Sequence, residues 1–443
     1  MTFRSALALL CFVVPVVLHA PSAQAVPSYA RQMNMDCSGC HTHFPQLNAF
    51  GRQFKLGGYT LTAQPQIEGT DRKGGNDLSL PSTTALGLMF QGSYTSISKS
   101  LPDTQNNSLQ FPQEVSLFFA GRLTPRIGTF VQMTYDGAED KFGIDNTEFR
   151  YADATTLGGR SLVYGLTLNN NPSIEDLWNS TPVWGFPYTS SGIAPGPGAS
   201  ALVQENLGQT VAGLGAYGMW DNTWYGAVTL YRSAQLGSAA PNAGSENTIE
   251  NIAPYWRLAW QHQVGQGYLE IGTYGLFARL YPEGITGLTD RYTDFAGDFQ
   301  YERPIGENLL TLHGSYIHEQ RKLDASVDLG IAERVSNHLD TWHLDGSWLM
   351  GRWQFTGGYF ASSGGQDATL FAPGDVDGSA SGKPDSTGYI AQASYAPWRN
   401  VQLQTQFIGY TKFNGGSSNY DGQGQGRSAS DNNTLYALAW FVW

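Results

Sequence analysis

Cysteine is almost absent from this chain. Its 443 residues hold three, and Cys11 lies in an apolar leader. That leader has Arg4 as its positive start, residues 6–18 as its apolar stretch and Ala23-Gln24-Ala25 as a small-residue cleavage site, so residues 1–25 read as an export signal and the mature chain would begin near Val26. Only Cys37 and Cys40 then remain, which leaves no disulfide framework to propose. Basic residues are also scarce, with 25 Lys and Arg against 37 Asp and Glu and a net charge of −12. A surface of that sign cannot displace counterions from a phosphate backbone, so nucleic acid is excluded as a partner. Past the leader, no apolar run reaches the length of about 18 residues that a membrane-crossing helix needs.

What is present is aromatic and glycine-rich: Trp 12, Tyr 23, Phe 22 and Gly 53. Such a composition without long apolar runs points to an outer-membrane β-barrel, with a soluble β-sandwich as the alternative. From residue 84 onward the hydrophobic pattern has period 2. Val115, Leu117, Phe119 and Leu123 share one face, and Glu114, Ser116 and Arg122 the other. Trp353, Phe355 and Tyr359 stand opposite Arg352, Gln354 and Thr356, and Val401, Leu403 and Phe407 opposite Gln402, Gln404 and Gln406. One face suits hydrocarbon and the other water.

About 16 segments follow this pattern, near 84–97, 112–122, 126–136, 145–153, 157–169, 209–220, 223–233, 254–262, 266–278, 290–302, 308–319, 339–349, 351–361, 386–396, 400–412 and 432–443. The connections are expected to alternate strictly. Short turns fall at Thr124-Pro125, Asp221-Asn222, Val264-Gly265, Ile305-Gly306 and Pro397-Trp398, and long loops at 98–111, 170–208, 234–253, 279–289, 320–338, 362–385 and 413–431. Short periplasmic turns with long outer loops are a membrane-barrel property, and an even strand number puts both ends of the barrel on the periplasmic side. The aromatic ending Trp440-Phe441-Val442-Trp443 resembles the closing strand of bacterial outer-membrane barrels.

Ahead of the barrel lie residues 26–60, then 61–83, whose Gly, Pro and Asp content reads as a linker. Within 26–60 stands Cys37-Ser38-Gly39-Cys40-His41. Two thiols at this spacing with a following histidine match the attachment signature of one covalent haem c, with His41 as the proximal iron ligand. A small disulfide is the alternative; it accounts for the cysteines but leaves His41 unexplained. A segment of about 35 residues is too short to bury a porphyrin alone. The lumen of a barrel this wide is the available cover, so the haem segment is expected to plug it from the periplasmic side.

Glu148, Arg150, Arg257, Asp294, Asp298, His313, His343, Asp345 and Arg352 are expected to face the lumen, most of them as hydrated pore-lining groups. Arg52 and Lys55 are the nearer candidates to pair with haem propionates. The distal iron position is open. No Met occurs between Met35 and Met89, which leaves Met33 as the candidate, with His43, a lumen residue or an empty position as alternatives. The acids Asp136, Glu139, Asp140, Glu175, Asp176, Asp375 and Asp377 would either attract cations or be ordinary solvated loop charges. Asp375-Val376-Asp377-Gly378 is too short for a calcium loop.

The run Pro27-Ser28-Tyr29-Ala30-Arg31, Cys37-Ser38-Gly39-Cys40-His41, Phe44-Pro45-Gln46-Leu47, Phe50-Gly51-Arg52, Phe54-Lys55 and Gly58-Tyr59 resembles the fused cytochrome–porin family, the outer-membrane monohaem cytochromes of iron-oxidising bacteria. Asp176-Leu177-Trp178-Asn179 and Trp184-Gly185-Phe186-Pro187 add to the likeness. The resemblance implies that extracellular Fe(II) gives an electron to the haem and that a periplasmic c-type cytochrome collects it. The alternatives are exchange with another external donor or acceptor, or a haem-bearing solute porin.

Overall fold

The computed structural model describes residues 26–443 apart from 62–63, 72, 103, 105, 235–240 and 423–425, so the leader 1–25 lies outside the described residues. From Leu86 to Val442 the chain forms a closed antiparallel barrel of sixteen strands, each paired with its neighbour in sequence. The short stretch Glu246–Ile249 belongs to the same strand as Ala253–Val264, because both pair with Gly267–Glu283. Closure is made by Leu86–Ile97 against Thr434–Val442, in a register running from Thr434↔Ile97 to Val442↔Met89.

Alternation in the sequence explains the wall. Phe119, Leu214, Leu258, Phe295, Trp342 and Phe355 face outward and are exposed, while Ser116, Gln132, Arg150, Arg257, Gln300 and Gln406 face inward and are fully buried. A water-soluble fold would reverse these two sets. An apolar outer band around a polar interior is the solution for a barrel standing in hydrocarbon.

Strand positions agree with the sequence reading, and several strands run longer than expected; Lys141–Leu157 and Gly267–Glu283 are each 17 residues. Strict alternation of the connections fails once. Ile127–Asp136 and Lys141–Leu157 are joined on the long-loop side by residues 137–140 alone, because Asp136 accepts N–H bonds from Ala138 and Glu139 and closes a tight turn. The expected linker also has structure: Gln66–Thr70 pairs with Asn76–Pro81 as a hairpin beside the strand Ser108–Thr124.

Two further pieces fill the lumen. The first is the N-terminal segment. Helix α1 (Pro27–Met33) starts on a proline, suited to a first turn, and ends at Asn34 with φ 48°. Ser28 Oγ and Gln32 Nε2 both donate to the Ala120 carbonyl of the wall at 2.8 Å. Helix α2 (Ala49–Leu56) is capped by Asn48, whose Oδ1 accepts from Gly51 N–H at 2.9 Å. Gly51 has no room for a side chain, since a Cβ there would stand 2.2 Å from the Cys40 carbonyl oxygen. This segment sits at the short-turn mouth: Gln53 Nε2 donates to Asn222 Oδ1 at 2.7 Å, and Gly58 lies against Arg150 and Ala152.

The second piece is 170–210, which spans the outer loop expected at 170–208. It turns inward instead. Ile174, Leu177, Trp178, Val183 and Leu207 are all buried, and Trp178 Nε1 donates to Gln261 Oε1 at 3.1 Å. So apolar a segment has no stable place in water, and the lumen offers it one.

Candidate functional site

Where the two lumen pieces meet the wall, they line a mainly apolar pocket. Met33 of α1, the motif residues Cys37, Cys40 and His41, and Lys55 of α2 reach it, with Phe130 from the wall and Trp184 from the infolded segment completing the lining. The local sequence shapes the motif. Asp36 Oδ1 accepts from Ser38 N–H at 2.7 Å and caps the 3₁₀ turn Cys37–Gly39, and both cysteines border the pocket.

The two thiols are free and part-buried; burial pushes Cys40 up to about 11, and burial with the Asp36 charge raises Cys37. His41 Nδ1 lies 3.0 Å from the Pro45 carbonyl. A carbonyl only accepts, so this nitrogen carries the proton and Nε2 keeps its lone pair. Burial drives the imidazole down to about 4, hence neutral at physiological pH. These residues fit a haem c: two thiols for the vinyl groups, an oriented neutral imidazole for iron, and an apolar enclosure.

Of the other sequence candidates, Met33 shares the pocket with the motif. His43 is buried away from the pocket lining, its Nε2 without a hydrogen-bond partner, and burial brings it down to about 4. Arg52 is committed elsewhere. It forms a two-pronged ion pair with Glu302 at 3.0 and 2.8 Å and stands 4.7 Å over the Tyr268 ring. Lys55 is at the pocket, where its Nζ donates to the carbonyls of Ile174 and Asp176 at 2.6 and 2.7 Å and lies 4.6 Å over the Trp184 ring. Burial lowers its ammonium to about 8.

Most of the inward wall residues do face the lumen, but as a buried network rather than a hydrated pore. Arg257 is the hub, with Asp298 at 2.8 Å and Glu270 and Asp176 at 3.3 Å, all with fully buried side chains. Asp294 and Glu319 accept from the backbone N–H groups of Val203 and Leu202 at 2.7 and 2.6 Å, tying down the infolded segment. His313 Nδ1 pairs with Asp345 at 3.0 Å, His343 stands 3.7 Å from the same carboxylate, and Glu148 lies 3.7 Å from Arg150. Arg352 does not face the lumen; it is exposed in the Gly351-Arg352 turn and bonds the Pro397 carbonyl, because the strand begins one residue later at Trp353. Glu175 and Asp176 are not solvated loop acids either. Both are buried, and Asp176 accepts N–H bonds from Trp178, Ser180 and Thr181.

Sequence reasoning missed the infolded segment as part of the site. Its signal was the density of bulky apolar residues, Leu177, Trp178, Val183, Trp184, Phe186 and Tyr188, in a stretch that a surface loop has no reason to carry. Among the described residues, no group of three or more His, Cys, Asp or Glu is arranged to hold a metal ion.

No known protein family and no curated protein sequence matches this chain. Among solved structures, the anion-selective porin from Comamonas acidovorans is similar over 81% of this chain and 98% of its own, at 9% identity and TM-score 0.47. The Salmonella typhi OmpF in complex with daunomycin covers 81% and 97% at 13% identity and TM-score 0.44. In-vitro folded OmpT of Vibrio cholerae covers 81% and 96% at 8% identity and TM-score 0.42. Likeness at this level carries no argument, and the porin-like barrel rests on its own strand pairing and outer face.

Proposed function

We propose that this barrel is an electron conduit of the bacterial outer membrane: it takes an electron from extracellular Fe(II) at one haem c and passes it to a periplasmic c-type cytochrome. One observation carries the reading. Free Cys37 and Cys40 and the Pro45-tethered His41 share an apolar pocket at the short-turn mouth of a barrel whose lumen is filled. When bound, the haem supplies one-electron exchange.

The remaining work belongs to the chain's own residues. Cys37 and Cys40 would hold the group, and His41, oriented by the Pro45 carbonyl, would offer Nε2 to the iron. Met33, which shares the pocket, would be the candidate second iron ligand, and Lys55, the cation at the pocket, would be the candidate partner of a propionate. Phe130 and Trp184 exclude water, which favours a fixed environment for electron exchange. The resemblance of residues 27–59 to the fused cytochrome–porin family supports iron as the donor.

The test is spectroscopic. With the protein expressed in a host that attaches haem c, anaerobic Fe(II) should convert the oxidised absorbance to the reduced form. Reduction by dithionite but not by Fe(II) would remove iron as donor. The rival reading, a haem-bearing solute porin, requires large open currents from the loaded protein in a planar bilayer; a filled lumen predicts a closed baseline.

A further inference from the structure

The backbone of the Cys37–His41 motif is held from outside by a single residue. Asn48 Nδ2 donates to the carbonyls of Ser38 and Gly39, both at 3.0 Å, and Asn48 N–H donates to the Cys40 carbonyl at 2.9 Å. The last three carbonyls before His41 therefore all end on Asn48. The same side chain also faces the other way. Its Oδ1 accepts from Gly51 N–H at 2.9 Å and caps α2, the helix that carries Lys55 to the pocket.

Capping is the ordinary role of an asparagine ahead of a helix. It accounts for Oδ1 but not for the two bonds of Nδ2. A side-chain amide combines an acceptor with two donors, so one residue can cap α2 and clamp the motif turn at once. Serine also caps a helix, but its single short hydroxyl cannot serve Gly51 and reach two carbonyls as well. The surrounding contacts are close. A Cβ on Gly51 would stand 2.2 Å from the Cys40 carbonyl oxygen, so α2 packs directly on the motif. His41 itself pairs with Leu47, the residue before Asn48, in a short antiparallel ladder.

We propose that Asn48 is the positioning residue of the motif: it fixes the turn Cys37–Gly39 and the backbone entering His41, so that His41 Nε2 keeps one bearing toward the iron. The role toward haem rests on the function proposed above; the clamp on the motif turn does not. An imidazole donor stabilises ferric iron more than ferrous iron, and axial ligation is a principal lever on haem potential. Loosening the clamp would weaken that bond and raise the potential.

The experiment separates clamp from cap. N48S keeps a capping oxygen for Gly51 and loses both Nδ2 bonds, whereas N48A loses cap and clamp together. Full-length, haem-loaded protein in detergent is titrated with dithionite and ferricyanide. Both variants should favour the ferrous state about tenfold more than wild type, an upward shift of about 59 mV. In full-length protein made without haem attachment, iodoacetamide should alkylate the part-buried Cys37 and Cys40 about fivefold faster in N48S than in wild type, because a loosened turn opens more often. Heat-sensitive gel mobility identifies variants whose barrel still folds. A wild-type potential in folded, loaded N48S, or wild-type alkylation in its haem-free form, overturns the clamp. A shift confined to N48A does so too and leaves Asn48 a helix cap. If wild-type protein carries no haem even with the attachment machinery present, the haem reading fails and alkylation alone decides the clamp. If dithionite reduces the wild type and Fe(II) does not, only iron as donor falls.

Discussion

The two ends of the lumen differ in kind. At the short-turn mouth, helices α1 and α2 and Trp184 of the infolded segment close on a small apolar pocket that contains the only two cysteines among the described residues. At the long-loop mouth, the wall opens into a wider, acidic vestibule. Both ends use the same strands with the same inward polarity, so the wall does not make the difference. The inserted chain does. Where a segment can bring apolar side chains to cover the inner face, the lumen holds an apolar pocket; where it cannot, charged side chains line the space. A barrel of this width is a frame, and its contents decide its chemistry.

The sharpest way to break the contrast is to empty the apolar end. Replacing Cys37 and Cys40 with Ser, or His41 with Ala, should abolish covalent haem loading, read by haem staining of denaturing gels, while the barrel still inserts. Loss of the barrel as well would show that the segment is needed for assembly. A second route joins the compartments: replacing residues 173–188 with a short Gly-Ser linker should raise bilayer conductance from a closed baseline to porin-like steps. A variant that stays closed would mean that residues 26–60 seal the lumen without help.

A smaller effect is expected from R257M. It leaves Asp176, Glu270 and Asp298 buried without their shared cation, a loss of about 3–5 kcal/mol by the usual cost of breaking a buried ion pair. Denaturant unfolding followed by tryptophan fluorescence would measure it, and a change below about 1 kcal/mol would deny Arg257 its hub role.

The most modest prediction concerns pH. Lys55 is held at about 8, below its ordinary 10.5, so the unfolded chain binds more protons between those values. Stability of the docked segment should therefore rise as pH increases from about 8 to about 10.5 and be flat below about 8 from this group. Limited proteolysis across that range should show increasing protection in the wild type and none of this slope in K55M.

Much of the fold was legible from residue order. The alternation that sets Phe119 outward against Ser116 and Phe118 inward locates a strand to within a few residues, because side chains on a strand have only two directions to point. The motif spacing singled out Cys37, Cys40 and His41 for a similar reason: the chemistry is local. Arg352 failed by one position, since the turn at Gly351 takes it out of the strand. The partners of Arg52 and Lys55 were invisible, because Glu302 and the Ile174 and Asp176 carbonyls lie far along the chain.

By itself, then, the sequence determined which residues form strands and which face of each strand points outward, and it supplied the Cys37, Cys40 and His41 spacing on which the haem proposal rests, all properties with a period or spacing of a few residues. Only the tertiary structure decided what occupies the interior. Period-2 alternation says that Arg257 and Asp298 point inward, but a polar inner face is equally consistent with water. The infolding of 170–210 turns them into a buried network, covers the pocket from Trp184 and leaves the acidic vestibule beyond it. That outcome depends on contacts between residues from about forty to more than a hundred positions apart, and no local pattern encodes them.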